Sequence, residues 1–421
     1  MRKAFIKTFG CQMNEADSEL IASHFAQAGI ETAESERDAD VFVLNTCTVR
    51  QHAEDKALSL IGRLKRWKEE KKGRKIFVVG CAVERIGEKN MTKKFPFLDA
   101  VIGAKSIGKL GEEIKKTCGK TEKSEKKEHK NIVFEKRPFS QYLTIMRGCS
   151  MNCAYCVVPS VRGKAEHRPL EEIIEEARRK VASGARELVL LGQTVNSYCW
   201  TENGRKTDFT DLLKILSEID KLKRIRFMSP HPLFFNDEFF KEFEKNKKIA
   251  SHIHLPAQSG SDRILKIMKR GYTRKRYLDT LAKIKKTRQD SAVSTDFIVG
   301  FPDETKKDFE ETLKLAQEGE FSLAFCFKYS ARHCKESENI IPEKEKEERL
   351  NLLLETVKQA SKRIFNSRIG KIEDVLLETE NYGRSSANFK VRIDKHVAPG
   401  EMIKVGIEGV SKNILLGKVL K

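Results

Sequence analysis

The run RGCSMNCAYC (147–156) spaces three cysteines, Cys149, Cys153 and Cys156, as C-x3-C-x2-C. Disulfides use thiols in pairs, and a structural zinc site is closed by four ligands. Three thiolates on one loop therefore either borrow a fourth ligand or leave a coordination position open. His167, the next histidine along the chain, is the residue that would complete a zinc knuckle.

The surroundings of the loop favour the open position. Residues Tyr142–Met146 just before it read as a strand, and strand patterns recur at Glu187–Leu191, Arg224–Met228, Ile253–Leu255, Val293–Val299 and Leu323–Phe327. Amphipathic stretches such as PLEEIIEEARRKVASG (169–184) and DFTDLLKILSEI (208–219) lie between them, as strand–helix alternation in a parallel sheet requires. Six such units predict a partial (β/α)6 barrel with its chemistry on the loops that follow the strands. The unusual residues fall on those loops: the cysteine run, GQTVNSY (192–198), SPHP (229–232), PAQSGS (256–261) and GFPDET (300–305). A [4Fe–4S] cluster usually takes one thiolate per iron. Three cysteines leave one iron free to chelate the amino and carboxylate groups of a small molecule, and Tyr155 is placed to cover the cluster.

Upstream, KAFIKTFG (3–10), ADVFVLNT (39–46) and KIFVVG (75–80) read as buried strands, with helices over 18–29 and 52–73. This predicts a second, smaller parallel α/β sheet over residues 1–118. Each strand runs into a cysteine, Cys11, Cys47 and Cys81, and ligands gather outside the carboxyl ends of parallel strands. Three cysteines remote in sequence are thus expected at one sheet edge. A polar, charged linker follows at 119–133, then the core over 134–366, closed by a long amphipathic helix at 343–365. Residues 367–421 carry short strands punctuated by Gly383, Gly400 and Gly409, which predicts a small antiparallel β-barrel of the oligonucleotide-binding shape.

Lys and Arg number 81 against 61 Asp and Glu, a net charge of +20, which points to a polyanionic partner, nucleic acid first. Lys390, Arg392, Lys395, Lys404, Lys412 and Lys418, with the Arg63–Lys75 run, are the clusters able to track phosphates. No secretory signal and no apolar run of about 20 residues is present. A cytoplasmic location is expected, where ten cysteines mean metal or catalysis rather than bridges. Cys118, Cys199, Cys326 and Cys334 lack partners at metal spacing and read as structural or incidental. Nothing suggests a dimer seam, and a monomer without membrane attachment is expected.

TFGCQMNEADSE (8–19), NTCTVR (45–50) and VVGCAVE (78–84), followed by IMRGCSMNCAYCVVPSVRGK, LLGQTVNSY, HLPAQSGS and TDFIVGFPDET, resemble the methylthiotransferases of the radical-SAM superfamily over essentially the whole chain. The resemblance is nearest to the branch that acts on N6-isopentenyladenosine of tRNA, and it makes the C-terminal barrel a TRAM domain. It implies that Cys149, Cys153 and Cys156 hold the radical-SAM [4Fe–4S] cluster and that Cys11, Cys47 and Cys81 hold an auxiliary [4Fe–4S] cluster. It further implies S-adenosyl-L-methionine (SAM) as cofactor, with Gln193, Asn196, Gln258, Ser259 and Gly300 lining its pocket. By the same resemblance, cleavage of SAM yields a 5′-deoxyadenosyl radical that takes hydrogen from carbon 2 of adenine 37, beside the anticodon. Sulfur from the auxiliary centre, methylated by a second SAM, is then inserted. The implied partners are the tRNA anticodon stem-loop and a flavodoxin- or ferredoxin-type electron donor. Sister branches that modify threonylcarbamoyladenosine or a ribosomal-protein aspartate share both cysteine trios, and a non-catalytic Fe–S RNA-binding protein is a reading of a different class. The pattern lapses at Thr194, where asparagine is common, and at YSARHCKESE (329–338), where a Pro-Gly turn is expected.

Overall fold

A computed structural model describes residues 2–49, 51–119, 138–331 and 340–420. Nearly all of the expected linker, together with Cys334 and most of YSARHCKESE, lies outside the described residues. The chain forms two compact units. One comprises Met1–Glu135, Arg147–Ser150 and Val157–Glu166; the other comprises Lys136–Met146, Met151–Cys156 and His167–Lys421. The path of the cysteine loop is shared out between them, Cys149 with the first unit and Cys153 and Cys156 with the second.

The first unit is a parallel five-stranded sheet built on β1 (Lys3–Thr8), β2 (Glu31–Thr32), β3 (Val41–Thr46), β4 (Lys75–Gly80) and β5 (Ala100–Gly103), in the order β2-β1-β3-β4-β5. Every residue of VFVLNT in β3 is buried, because helices cover both faces of a parallel sheet. Val41 and Val43 face the helix Gln12–Gln27 through Ile21 and Phe25, while Phe42 and Leu44 face Gln51–Glu69 through Ala57, Ile61 and Leu64. The edge strands β2 and β5 carry no long apolar run and are not among the predicted ones. The first helix begins six residues earlier than its apolar periodicity suggests, with Cys11 as its N-cap.

In the second unit the six core strands are Ser140–Thr144, Glu187–Leu191, Arg224–Phe227, His252–His254, Ala292–Val299 and Leu323–Lys328. All pair in parallel, as two three-stranded sheets joined by the Ile225–Ile249 bridge. The helix Lys306–Glu318 starts in a reciprocal cap between Thr305 and Asp308, and Phe209–Ser217 in one between Asp208 and Asp211. The long helix spans Glu343–Asn366, within a residue of its predicted bounds.

Residues from Ile372 onward close a five-stranded barrel around Val375, Leu377, Phe389, Val391, Val405, Ile407 and Leu415. Four of its pairings are antiparallel; Lys390–Ile393 pairs in parallel with Ile414–Val419. The expected antiparallel barrel thus forms with one parallel pairing in it. The Met402–Ser411 strand intervenes in sequence and pairs on the far side of the last strand, so the chain returns beside Lys390–Ile393 in the same direction. Phe365 of the long helix meets Phe389 edge-on, with ring centroids 4.8 Å apart. Arg224 Nη1 donates to the Arg384 carbonyl (2.9 Å), and the Ser251 amide donates to Ser386 Oγ (3.0 Å). Barrel and core therefore share polar contacts that neither could leave unmade without cost.

Candidate iron–sulfur and cofactor sites

In the first unit, in-register pairing of Thr8 with Asn45 and of Thr46 with Gly80 ends β1, β3 and β4 at one level. Cys47 and Cys81 are buried there, and Cys11 is partly buried. Cys11 is the N-cap of the Gln12–Gln27 helix, and Cys81 is the first residue of the short Cys81–Ile86 helix. Gly10 has φ +135°, and a Cβ there would stand 2.7 Å from the Cβ of Cys47; only glycine lets the two loops approach so closely. Burial pushes the Cys81 thiol up to about 12 against the pull of Arg162, with Cys47 and Cys11 adding to the rise. The sheet edge thus brings together the three cysteines that the strand pattern places there.

Side chains from the same motifs lock this edge. Asn14 Nδ2 donates to Asn45 Oδ1 (3.1 Å) and to the Thr46 carbonyl (2.9 Å), and Asn45 Nδ2 donates to Ser18 Oγ (2.8 Å). Asp17, buried on the same helix, receives Arg162 Nη2 at 2.7 Å and also Arg147 Nη1. Burial raises the Asp17 carboxyl, but the two guanidinium groups outweigh it and hold it below the ordinary carboxylate range. Two cations on one carboxylate leave positive charge in excess beside Cys81 and Cys11. An anionic cluster of thiolates suits that excess. Asn14, Asp17, Asn45 and Arg162 build this edge, and periodicity alone misses them. All four nevertheless sit within the quoted motifs.

Gly148 (φ +71°) begins the other cysteine loop. A Cβ on it would meet the carbonyl oxygens of Lys164 and Gly163 at 2.0 and 2.7 Å, and the Cys149 amide donates to the Gly163 carbonyl (3.1 Å). In the second unit, the Ala154 amide donates to the Met268 carbonyl (3.0 Å), which pins Cys153–Tyr155 to the turn after the Asp262–Ile267 helix. Arg270 leaves that turn buried, 5% exposed. Its Nη1 donates to Cys153 Sγ (3.3 Å) and Tyr155 Oη (3.2 Å), its Nε to Tyr272 Oη (3.0 Å) and its Nη2 to the Pro256 carbonyl (3.3 Å). His167 is otherwise occupied: its Nδ1 lies 3.0 Å from the Cys199 amide that donates to it, and its ring stacks on Tyr198. Among the described residues no group of His, Cys, Asp or Glu side chains is arranged around a single metal ion. A four-iron cluster, by contrast, spreads its thiolates around a cube.

The predicted cofactor-lining residues divide. Gln193 keeps a buried Oε1 that has no hydrogen-bond partner, and so does His231 at Nε2; both follow core strands at their carboxyl ends. Buried polar atoms without partners fit a pocket whose ligand completes them. Burial and the neighbouring Arg270 lower the His231 pKa to about 3, so its imidazole is neutral. Asn196 is committed to the scaffold instead: it donates to the His231 carbonyl (3.0 Å) and accepts from the His231 amide (2.8 Å). Gln258 (φ +72°) bridges to the Ala292–Val299 strand through its backbone, its amide donating to Asp296 and its carbonyl accepting from Ile298. Ser259 Oγ lies 3.3 Å from Thr312 Oγ1, and the Gly300 amide donates to Glu304 (2.7 Å). Those three positions shape the loops with groups already bonded within the protein.

Comparison with known proteins gives the same picture. The family pattern of the radical SAM superfamily matches residues 143–316, and that of the uncharacterized protein family UPF0004 matches residues 3–103. Among solved structures, the radical S-adenosylmethionine methyltransferase TsrM from Kitasatospora setae superposes with a TM-score of 0.57 at 10% identity, over 77% of this chain and 73% of that one. The cobalamin-dependent S-adenosylmethionine radical enzyme OxsB superposes with a TM-score of 0.52 at 13% identity, over 85% of this chain and 56% of that one. At such identities the likeness is one of fold. Fold, cysteine loop and superfamily pattern together make this a radical-SAM protein, a class that works with SAM and a [4Fe–4S] cluster.

The particular family follows from relatives that align from end to end. A tRNA-2-methylthio-N(6)-dimethylallyladenosine synthase of Methylacidiphilum infernorum is 36% identical over 100% of this chain and 95% of its own length. The synthase of the same name from Sulfurimonas denitrificans is 38% identical over 100% and 99%. One from Clostridium botulinum is 42% identical over 89% and 85%. The chain belongs to the tRNA-2-methylthio-N(6)-dimethylallyladenosine synthase family.

Proposed function

We propose that the protein methylthiolates carbon 2 of N6-isopentenyladenosine at position 37 of tRNA, using two [4Fe–4S] clusters and SAM. The observation that carries this reading is end-to-end relatedness to synthases of that name, on a chain that keeps both cysteine trios. Cys149, Cys153 and Cys156 hold the radical-SAM cluster, and Cys11, Cys47 and Cys81 hold the auxiliary one. When bound, these groups supply one-electron cleavage of SAM and a seat for the sulfur to be transferred.

The chain's own residues do the rest. Gln193 and His231 offer an acceptor and an imidazole nitrogen to SAM, and the neutral His231 adds no second cation beside Arg270. Asn196 ties the loop after Glu187–Leu191 to the loop after Arg224–Phe227, so both polar contacts keep their place. Val157 and Val161 pack with Ala104 against Cys81 and exclude water from that side, which protects a reactive carbon radical from quenching. The residues from 367 onward, as a TRAM domain, present lysines to the phosphates of the anticodon stem-loop. A flavodoxin- or ferredoxin-type protein donates the electron. Among the described residues no helix is long and apolar enough to cross a membrane, in keeping with work on tRNA in the cytoplasm.

The test is anaerobic. The full chain, reconstituted with iron and sulfide, is supplied with reductant, SAM and isopentenylated tRNA, and the digested nucleosides are analysed by mass spectrometry. The 2-methylthio nucleoside is expected. 5′-Deoxyadenosine without it would redirect the substrate to a sister branch, and neither product from a fully loaded protein would overturn the enzymatic reading.

A further inference from the structure

Arg270 poses a charge problem. It is a buried guanidinium whose hydrogen-bond partners are two phenols, a carbonyl and a thiol. Among the described residues no carboxylate lies within ion-pair distance of it. Other buried arginines among the described residues have a carboxylate: Arg162 faces Asp17, Arg224 and Arg226 face Glu187, Arg288 faces Asp290, Arg349 faces Glu304, Arg368 faces Glu373 and Arg74 faces Glu70. A buried charge without a counter-charge costs several kcal/mol, so a chain that keeps one has a use for it.

Its donors show the direction. Nη1 points at Cys153 Sγ, and the turn that presents it is fixed on both sides, by the Ala154 amide on the Met268 carbonyl and by the Arg270 amide on Leu265. Tyr272, which accepts from Nε, is itself anchored on the Pro256 and Ala257 carbonyls at 3.0 Å each. The guanidinium is held in orientation toward one sulfur.

We infer that Arg270 is the counter-ion of the radical-SAM cluster: a positioning residue that sets the ease of the cluster's reduction through a charge-assisted N–H···S bond to Cys153. This rests on the ligand assignment made above. Three thiolates make the centre an anion, and the incoming electron makes it more so. A fixed positive charge and a hydrogen bond to a ligand sulfur both favour the reduced form, since such potentials follow net charge and bonds to sulfur. Tyr155 and Tyr272 surround the guanidinium without neutralising it and keep water from screening it. Arg270 thus acts on the cluster through Cys153 and takes no part in bond making.

The test uses the full chain with Cys11, Cys47 and Cys81 changed to alanine, so that one cluster remains, and follows its reduction by electron paramagnetic resonance in a potentiometric titration. In R270Q the ratio of reduced to oxidised cluster at the parent's midpoint is expected to fall at least tenfold, equivalent to about 59 mV for one electron. R270K keeps the charge and is expected to recover most of that loss. An R270Q midpoint equal to the parent's overturns the inference. A second readout is thermal melting, which begins with the cluster-free proteins. Without the cluster, R270M is expected to melt higher than the parent, because an uncompensated charge has gone; loading should then raise the parent's melting temperature by more than it raises that of R270M. An apo R270M that melts lower than the apo parent overturns the inference as well. Failure of the underlying assignment looks different: the parent binds no cluster, or a cluster persists after Cys149, Cys153 and Cys156 are replaced.

Discussion

Cys149 and Cys11 are both thiols on loops after strands, yet they should fail in different ways. On the proposed assignment, Cys149→Ala removes a ligand of the centre that cleaves SAM and is expected to abolish 5′-deoxyadenosine formation. Cys11→Ala is expected to spare that cleavage and stop sulfur insertion. Both are read by chromatography of the two products, and thiolation that survives in Cys11→Ala would remove the auxiliary assignment. Asp17 tests the surrounding charges. Asp17→Asn leaves Arg147 and Arg162 without a carboxylate in a buried setting and should destabilise the cluster-free protein by about 3 kcal/mol in denaturant unfolding. The cysteines are legible in the sequence because their spacing is chemically unusual. Asp17 and Arg270 are not, since nothing in a lone charged residue tells whether it lies in solvent or meets its partner far along the chain.

At the scale of elements, buried hydrophobic runs make strands legible and buried polar faces hide helices. The Gln12–Gln27 helix turns Asn14, Asp17 and Ser18 inward, so its first two turns carry no apolar stripe and read as loop. Short strands such as Glu31–Thr32 at the sheet edge and Tyr382–Ser385 within the barrel escape for a related reason: two to four residues hold no periodicity. A core strand and a loop after one carry a testable pH response. Burial, with Arg270 adding, lowers the His231 pKa to about 3, and burial likewise lowers His252. Both histidines take up protons near 6.5 only when unfolded. Their contribution to stability is therefore complete above about pH 6.5 and is lost as pH falls toward the folded-state value, at roughly 1.4 kcal/mol per pH unit for each group. Equilibrium unfolding in urea at pH 7.5, 6 and 5 should show this decline, and His231→Asn should make it shallower. A stability that stays level over this range would contradict it. Glu187 responds lower down. Burial raises its carboxyl, yet Arg224 and Arg226 hold it at about 2, so its contribution is lost only as pH falls below about 4.5.

For the whole molecule, a net charge of +20 predicts binding ruled by counterion release. Affinity for tRNA should fall at least tenfold between 50 and 200 mM salt, by filter binding or fluorescence anisotropy; a level response would remove the electrostatic account. Removal of the residues after 370 strips Arg224 and Arg226 of the Arg384 and Ser385 carbonyls they bond. The core left behind should expose apolar surface around Phe365 and aggregate.

The helix Val158–Arg162 belongs by its packing to the first unit, yet it is encoded after the first three strand-end motifs and within the stretch that begins the core. A gene divided at the charged linker would give a leading fragment without the segment that roofs Cys81, and a trailing one that carries that segment with nothing to cover. Exchange of halves between relatives by recombination at the linker would separate parts that have to change together. Chimaeras are therefore better cut after His167 than before Arg147.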